Sequence, residues 1–233
     1  MRECSEMTTS KPRPTFYALA SGGWRDYVTV LHLPYTVWNL AYVALGAAIA
    51  PHFVTSRMVW TMAAFALGLG VSAHALDELN GRPLATSIPS GVLVTLGVGA
   101  LAGACAIGVW AALDWSHWLF ALIAAGAFIV PAYNLEWFGG RFHGSWWLAL
   151  AWGGLPILSA YLAQTGTLRA PAVLAAGYGC AMILVQRSLS TPVREARRRR
   201  GSLEGVEPME RALRILPVAN VLLAAALVTA RLT

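Results

Sequence analysis

The chain has 233 residues and a net charge of +6, with 57 % hydrophobic side chains, only 12 % charged ones and a mean hydropathy of +0.58. A soluble domain carries about a quarter charged residues, so a water-exposed globule is excluded and an all-α integral membrane protein is expected. The positive balance does not announce a nucleic-acid partner, because much of it sits in one run, Arg197 to Arg200, and basic residues between spans mainly set orientation.

Residues 1–30 hold no compact apolar stretch followed by a small-residue cleavage site, so they read as a cytoplasmic N-terminal segment rather than a removable signal. Seven apolar stretches then follow, near 34–54, 58–76, 91–113, 117–134, 145–163, 170–189 and 213–231, each near the length a helix needs to cross a bilayer. The whole chain, 1–233, reads as one transmembrane helical domain. Pro34 opens the first stretch, as suits a first helical turn. Small residues recur inside the spans at Gly68, Gly70 and Ser72, at Gly99 and Gly103, and at Gly177 and Gly179, where they let helices approach closely. Cys4, Cys105 and Cys180 stand far apart and form neither a disulfide framework nor a zinc spacing. Trp110, Trp115, Trp118, Trp137, Trp146 and Trp147 cluster near span ends, as an interfacial belt does.

Seven spans put the termini on opposite sides. With the N-terminus inside, fourteen Lys and Arg residues are cytoplasmic and only Arg57, Arg169 and Arg231 are not. The positive-inside rule therefore predicts a cytoplasmic N-terminus and a C-terminus across the cell membrane. The three long polar connections, 74–90, 134–144 and the basic loop 187–211, then share the cytoplasmic face.

Those connections hold the candidate chemistry. His74, Asp77 and Glu78 follow i, i+3, i+4 spacing at the end of the second span, which puts them on one helix face at the membrane edge. Carboxylates there bind a cation, pair with a base or reach water. Their oxygens suit Mg²⁺, and Arg82, four residues on, suits a phosphate. A solvated helix end with an acid paired to Arg82 remains the alternative. The second connection offers Tyr133, Asn134, Arg141 and His143 among the turn glycines Gly139, Gly140 and Gly144. In the third, QRSLSTPVREARRRRG, arginines that include Arg187 and Arg194 can meet anionic lipid headgroups or a diphosphate.

The ordered set resembles the UbiA superfamily of intramembrane prenyltransferases. HLPYTVWNLAYVALGAAIAP looks like its opening helix. DELNGRPLATSIPSG resembles its first acidic motif, with Arg82-Pro83 and Ser90-Gly91 in place. AYNLEWFGGRFHG matches its next connection at Tyr133, Arg141 and Gly144. The likeness covers about residues 30–200. It implies a helical bundle with a central cavity open to lipid, in which Mg²⁺ held by acidic motifs binds an isoprenyl diphosphate for transfer to an acceptor or for cyclisation. Carried over by position, Asp77 and Glu78 hold the metal, His74 stands beside them, Arg141 faces the diphosphate and Tyr133 lines the cavity near the reacting carbons. The chain departs from the family in length, with seven spans where nine are common. It also lacks the second acidic motif, whose place holds Gln186, Arg187, Ser188 and Ser190. Arg187 and Arg194 are the substitutes for that motif's electrostatics. Two other readings stay open: a non-catalytic UbiA-like protein that binds an isoprenoid or quinone-like lipid or supports a partner, and an intramembrane zinc hydrolase built on His74, Asp77 and His143.

Overall fold

The computed structural model describes residues 14–200 and 203–233. Expectations that rest on Cys4, Arg2, Lys11 or Arg13 lie outside the described residues. Among the described residues, and apart from a single short turn at Trp137–Gly140, eight helices make up the fold: α1 (Trp24–Val30), α2 (Leu33–Ala48), α3 (Thr55–Leu79), α4 (Ser90–Asp114), α5 (Leu119–Asn134), α6 (Ser145–Thr165), α7 (Ala170–Arg200) and α8 (Glu207–Leu232). Among the described residues there is no strand.

Five of these, α3, α4, α6, α7 and α8, are long and apolar enough to cross a membrane. The first apolar stretch is built differently from its expected 34–54 form. It begins upstream as α1, breaks at His32, whose φ of 45° is left-handed, and resumes as α2 at an angle of 43°. Pro34 does lie in the first turn of α2, where its missing N–H costs nothing. α5 is a shorter apolar helix of 16 residues.

The basic stretch 187–211 is not a loop. α7 runs unbroken to Arg200, and α8 begins at Glu207. Hydropathy falls away after residue 189, but Arg, Glu and Ala are strong helix formers, so the helix outlasts its apolar part. Glu195 and Arg199 pair across one turn at 2.8 Å, and Arg197 reaches Glu210 of α8 at 2.5 Å. Arg214 holds the other oxygen of Glu210 at 2.6 Å, so a buried acid ties the two helices together.

The core centres on α2 and α6, where Trp38, Tyr42, Leu45, Trp152 and Ile157 pack with Leu69 of α3 and Ile183 of α7. Two-thirds of the best apolar window of α6 is buried (67 %), against 11 % for α4, so α6 is central and α4 borders lipid. Glycine makes the tightest crossings possible. A Cβ on Gly153 would collide with the backbone of Gly179, and one on Gly46 with that of Ile157. At the end of the bundle away from the polar connections, helix ends are tied in pairs. Val54 and Gln164 exchange hydrogen bonds of 2.7 and 3.1 Å, Arg57 donates to the Ala163 carbonyl at 3.0 Å, and Arg231 donates to the carbonyls of Ala50 and Pro51.

Gly153→Val is expected to destabilise the detergent-solubilised protein by about 2 kcal/mol or more, because neither backbone can yield. Gly99→Val, where no atom stands within 4 Å of an added Cβ, should leave the thermal midpoint nearly unchanged. Thermal unfolding of the two variants side by side checks the crossing.

Candidate functional site

The ends of α3, α5 and α7 converge with the α1–α2 break around a cavity of about 450 Å³. That size falls in the usual range of ligand sites. A second cleft of about 110 Å³, between α3, α4, α5 and α6, is lined almost wholly by apolar side chains and offers no chemistry. The larger cavity takes Tyr35, Trp38 and Asn39 from α2, His74 and Asp77 from α3, Tyr133 and Asn134 from α5, Trp152 from α6, and Gln186, Arg187 and Arg194 from α7. Phe16 and Tyr17 close it from the N-terminal side.

The wall from α3 is shaped by a π-helical turn, Ala66–Ala73, that ends where His74 begins; π-turns inside α-helices gather at functional sites. His74 Nδ1 lies 3.1 Å from the carbonyl of Gly70, and its ring stacks on His32 at 4.1 Å and 11°. His32 Nδ1 meets the Tyr17 hydroxyl at 3.0 Å, while its Nε2 is buried without a partner among the described residues. Burial pushes the Tyr17 phenol above its ordinary pKa, so it stays protonated and keeps its hydrogen for that contact.

Asp77 lines the cavity and Glu78 does not. The expected pair of carboxylates is divided because adjacent helical residues project about 100° apart, although each shares a face with His74. The carboxylate of Glu78 is fully buried. It accepts hydrogen bonds from the N–H of Leu84 at 2.9 Å, the N–H of Thr86 at 2.9 Å and the Thr86 hydroxyl at 2.8 Å. Arg82 braces the same connection, donating to the Ile88 carbonyl at 2.5 Å and the Ser90 hydroxyl at 2.8 Å. Both residues are occupied in holding the α3–α4 connection, and neither lines the cavity. Arg141 is exposed and also lies off the cavity wall.

Arg187 and Arg194 share a face of α7, two turns and about 10 Å apart. Arg187 donates to the Tyr133 hydroxyl at 3.1 Å. The Tyr133 ring stacks on His143 at 4.5 Å, whose Nδ1 lies 2.9 Å from the Tyr133 carbonyl. Arg187 and Arg194 have no carboxylate at ion-pair distance among the described residues, whereas Arg197 and Arg214 are matched by Glu210. The lining holds four arginines (187, 194, 197 and 198) against the acids Asp77 and Glu136, so the cavity favours an anion.

Of the residues singled out in the sequence, the fold thus gathers His74, Asp77, Tyr133, Arg187 and Arg194, and leaves Glu78, Arg82 and Arg141 outside. Among the described residues no three His, Cys, Asp or Glu side chains form a metal cluster, so the zinc set of His74, Asp77 and His143 is not assembled. A hard cation finds two lining carboxylates here, Asp77 and Glu136, and only the first belongs to the expected acidic pair. That fits Mg²⁺ carried mainly by a ligand's own phosphates and does not fit an all-protein cage. The sequence reading passed over Tyr17, Tyr35 and Asn39. For Asn39 a signal existed: it is the one carboxamide inside the first apolar stretch, and polar side chains at membrane depth are functional candidates. Comparisons with family models, curated proteins and solved structures give no match.

Glu78→Gln should cost about 2 kcal/mol or more of stability, since it weakens three charge-assisted bonds at a buried acceptor. Asp77→Asn, at a carboxylate that accepts no hydrogen bond among the described residues, should change the thermal midpoint little. Equal losses in the two variants would put both carboxylates in one structural role.

Proposed function

We propose that the protein is a UbiA-like membrane enzyme that takes the diphosphate head of an isoprenoid lipid in the 450 Å³ cavity and transfers or cyclises the prenyl group. The observation that carries this reading is the pair of arginines without carboxylate partners, Arg187 and Arg194, facing the cavity beside Asp77 and Tyr133. In this reading α1 and α2 form one broken crossing and α5 a short one. Seven crossings then place the N-terminus in the cytoplasm, the C-terminus opposite and the cavity at the cytoplasmic face of the cell membrane, where basic residues concentrate. Ring-shaped side chains and lipid tails bound the rest of the ligand.

The arginines take the role that a second acidic motif and its metals have in the family the sequence resembles. Guanidinium groups meet phosphate oxygens by forked hydrogen bonds and favour charge building on the leaving diphosphate. Asp77, with Glu136 also on the cavity lining, would offer oxygen ligands to a Mg²⁺ brought by the diphosphate, and the metal would supply added neutralisation of the phosphates. Tyr133, held by Arg187, and His74 border the space next to the head. In the reaction the allylic C–O bond breaks, the diphosphate leaves with the electron pair, and the prenyl carbon bonds to an acceptor, or to its own chain in a cyclisation, with loss of a proton.

A second reading rests on Glu78. With that carboxylate committed to the α3–α4 connection, the expected acidic pair is broken and only Asp77 of it faces the cavity, which suits a protein that binds the isoprenoid without ionising it. Incubation of the purified protein with labelled allylic diphosphates, with and without Mg²⁺, separates the two. Release of diphosphate supports the enzyme, binding without release supports the carrier, and absence of binding removes both. Arg187→Gln and Arg194→Gln should each weaken diphosphate binding roughly tenfold or more, in keeping with loss of a charged hydrogen bond. Asp77→Asn should abolish the Mg²⁺ dependence and leave metal-free binding intact.

A further inference from the structure

Residues 14–23 precede α1 and carry no charged side chain. Pro14, Thr15, Phe16 and Tyr17 line the large cavity. Ala18 is 2 % exposed, whereas residues 19–23 are exposed. Three hydrogen bonds hold the segment. The Tyr17 hydroxyl meets His32 Nδ1 at 3.0 Å. The N–H of Leu19 donates to the Thr29 hydroxyl at 3.0 Å, and that of Gly22 to Asp26 Oδ1 at 2.9 Å. Ring contacts add to them. Tyr17 lies edge-on to Tyr35 at 5.6 Å, and the Arg214 guanidinium stands 5.1 Å from the centre of the Phe16 ring.

The two ends of the segment are built differently. Gly22 and Gly23 have φ of 115° and 60°, values that glycine adopts without steric cost. No atom stands within 4 Å of a Cβ placed on either. Just beyond this pair the chain is clamped. Asp26 is 2 % exposed, and its Oδ2 accepts from the N–H and the hydroxyl of Ser87 at 2.8 and 2.6 Å. Ser87 belongs to the α3–α4 connection that Glu78 fixes. At the other end, Tyr17 rests on His32 and Tyr35, which themselves line the cavity. A glycine pair in open space thus joins a fixed helix to a strap whose tip touches the wall of the site. Hinges of this kind absorb large backbone rotations at a few element-terminal positions, and loops so hinged control access to buried sites.

We propose that residues 14–21 are a lid, hinged at Gly22 and Gly23, whose movement away from His32 and Tyr35 opens the cavity to a ligand head arriving from water. The lid rests on the reading of this cavity as a ligand site and not on the identity of the ligand.

The test needs no ligand. In the full chain, in nanodiscs, Cys4, Cys105 and Cys180 are replaced by alanine. One cysteine is then returned at Ser190, which lines the cavity and is 5 % exposed, or at its neighbour Thr191, which is exposed and off the lining. The rate of labelling by a membrane-impermeant anionic methanethiosulfonate is measured at each. Ser190→Cys should react roughly tenfold or more slowly than Thr191→Cys, because it is reached only through local opening. Tyr17→Phe combined with Thr29→Val removes two of the three hydrogen bonds. It should speed Ser190→Cys roughly tenfold and leave Thr191→Cys unchanged. Equal rates at the two cysteines in the parent overturn the proposal, as does a Ser190→Cys rate that the double variant leaves unaltered. Faster labelling at both positions shows a loosened bundle and overturns it too. Gly22→Ala gives a second route if the double variant does not fold. Alanine disfavours the φ of 115° that closure requires, so this variant should also speed Ser190→Cys alone, and an unchanged rate would sink the lid. Pyrophosphate added to the parent should slow Ser190→Cys and not Thr191→Cys; no slowing counts against the diphosphate reading and leaves the lid standing.

Discussion

The carboxylate of Glu78 fixes the geometry on which the cavity depends. A fully buried charge survives only when its lone pairs are filled, and Glu78 fills them with two backbone N–H groups and one hydroxyl from residues 84–86. That arrangement sets the path by which the chain leaves α3 and enters α4. It also fixes the rotation of the last turn of α3, and a helix rotated so that residue 78 faces the connection must aim residue 77 about 100° away. Asp77 faces the cavity because Glu78 does not.

The same logic explains which parts of the site could be read in the sequence. His74, Asp77 and Tyr133 stand at polar ends of apolar stretches, and their placement follows from where a helix must leave lipid. The assignment of Glu78 to a metal failed on a question that spacing leaves open. Residues 77 and 78 each share a face with residue 74, yet they do not share one with each other, and the tertiary partner decides which turns inward. Arg82 pairs with neither acid of its own helix end; its partners are the Ile88 carbonyl and the Ser90 hydroxyl, polar groups that composition cannot distinguish from a phosphate. The apolar stretches located the long helices well. They misjudged the end of α7 because hydropathy reports where lipid stops and helix propensity reports where the helix stops, and at residues 190–200 the two differ. Asn39 was hidden for the opposite reason. A lone carboxamide within an apolar stretch is visible, but whether it bonds to its own helix depends on its side-chain rotamer and its neighbours.

The charges around the cavity also distinguish structural from chemical work. Arg197 and Arg214 converge on Glu210 and hold α7 to α8. Three and ten residues before Arg197 on α7, Arg194 and Arg187 meet no carboxylate at that distance among the described residues. The helix thus carries a clamped cation near its end and two exposed to the cavity further in. The clamp fixes the direction of α7 and with it the spacing of the two inner guanidinium groups. Preorganised cations of this kind can stabilise an anionic head without rearrangement when it arrives, and they do so where a cluster of carboxylates would need metal ions first.

The two ends of the bundle differ in how their polar side chains are used. At the end that holds Val54 and Gln164, polar side chains are joined to each other or to helix carbonyls: Arg57 to Ala163, Ser116 to Gly166, Arg231 to Ala50 and Pro51. These are the contacts expected of a bundle that only needs to close. At the other end the His32 Nε2 is buried without a partner among the described residues, and the Asn39 carboxamide, the half-buried Asp77 carboxylate and the exposed Arg194 guanidinium border the same cavity. Unpaired polar groups away from bulk water lower stability, and the buried hydroxyls of Tyr42 and Ser72, off the cavity, are left without a partner among the described residues as well. What sets the cavity apart is its lining, which gathers donors, acceptors and both signs of charge in one chamber.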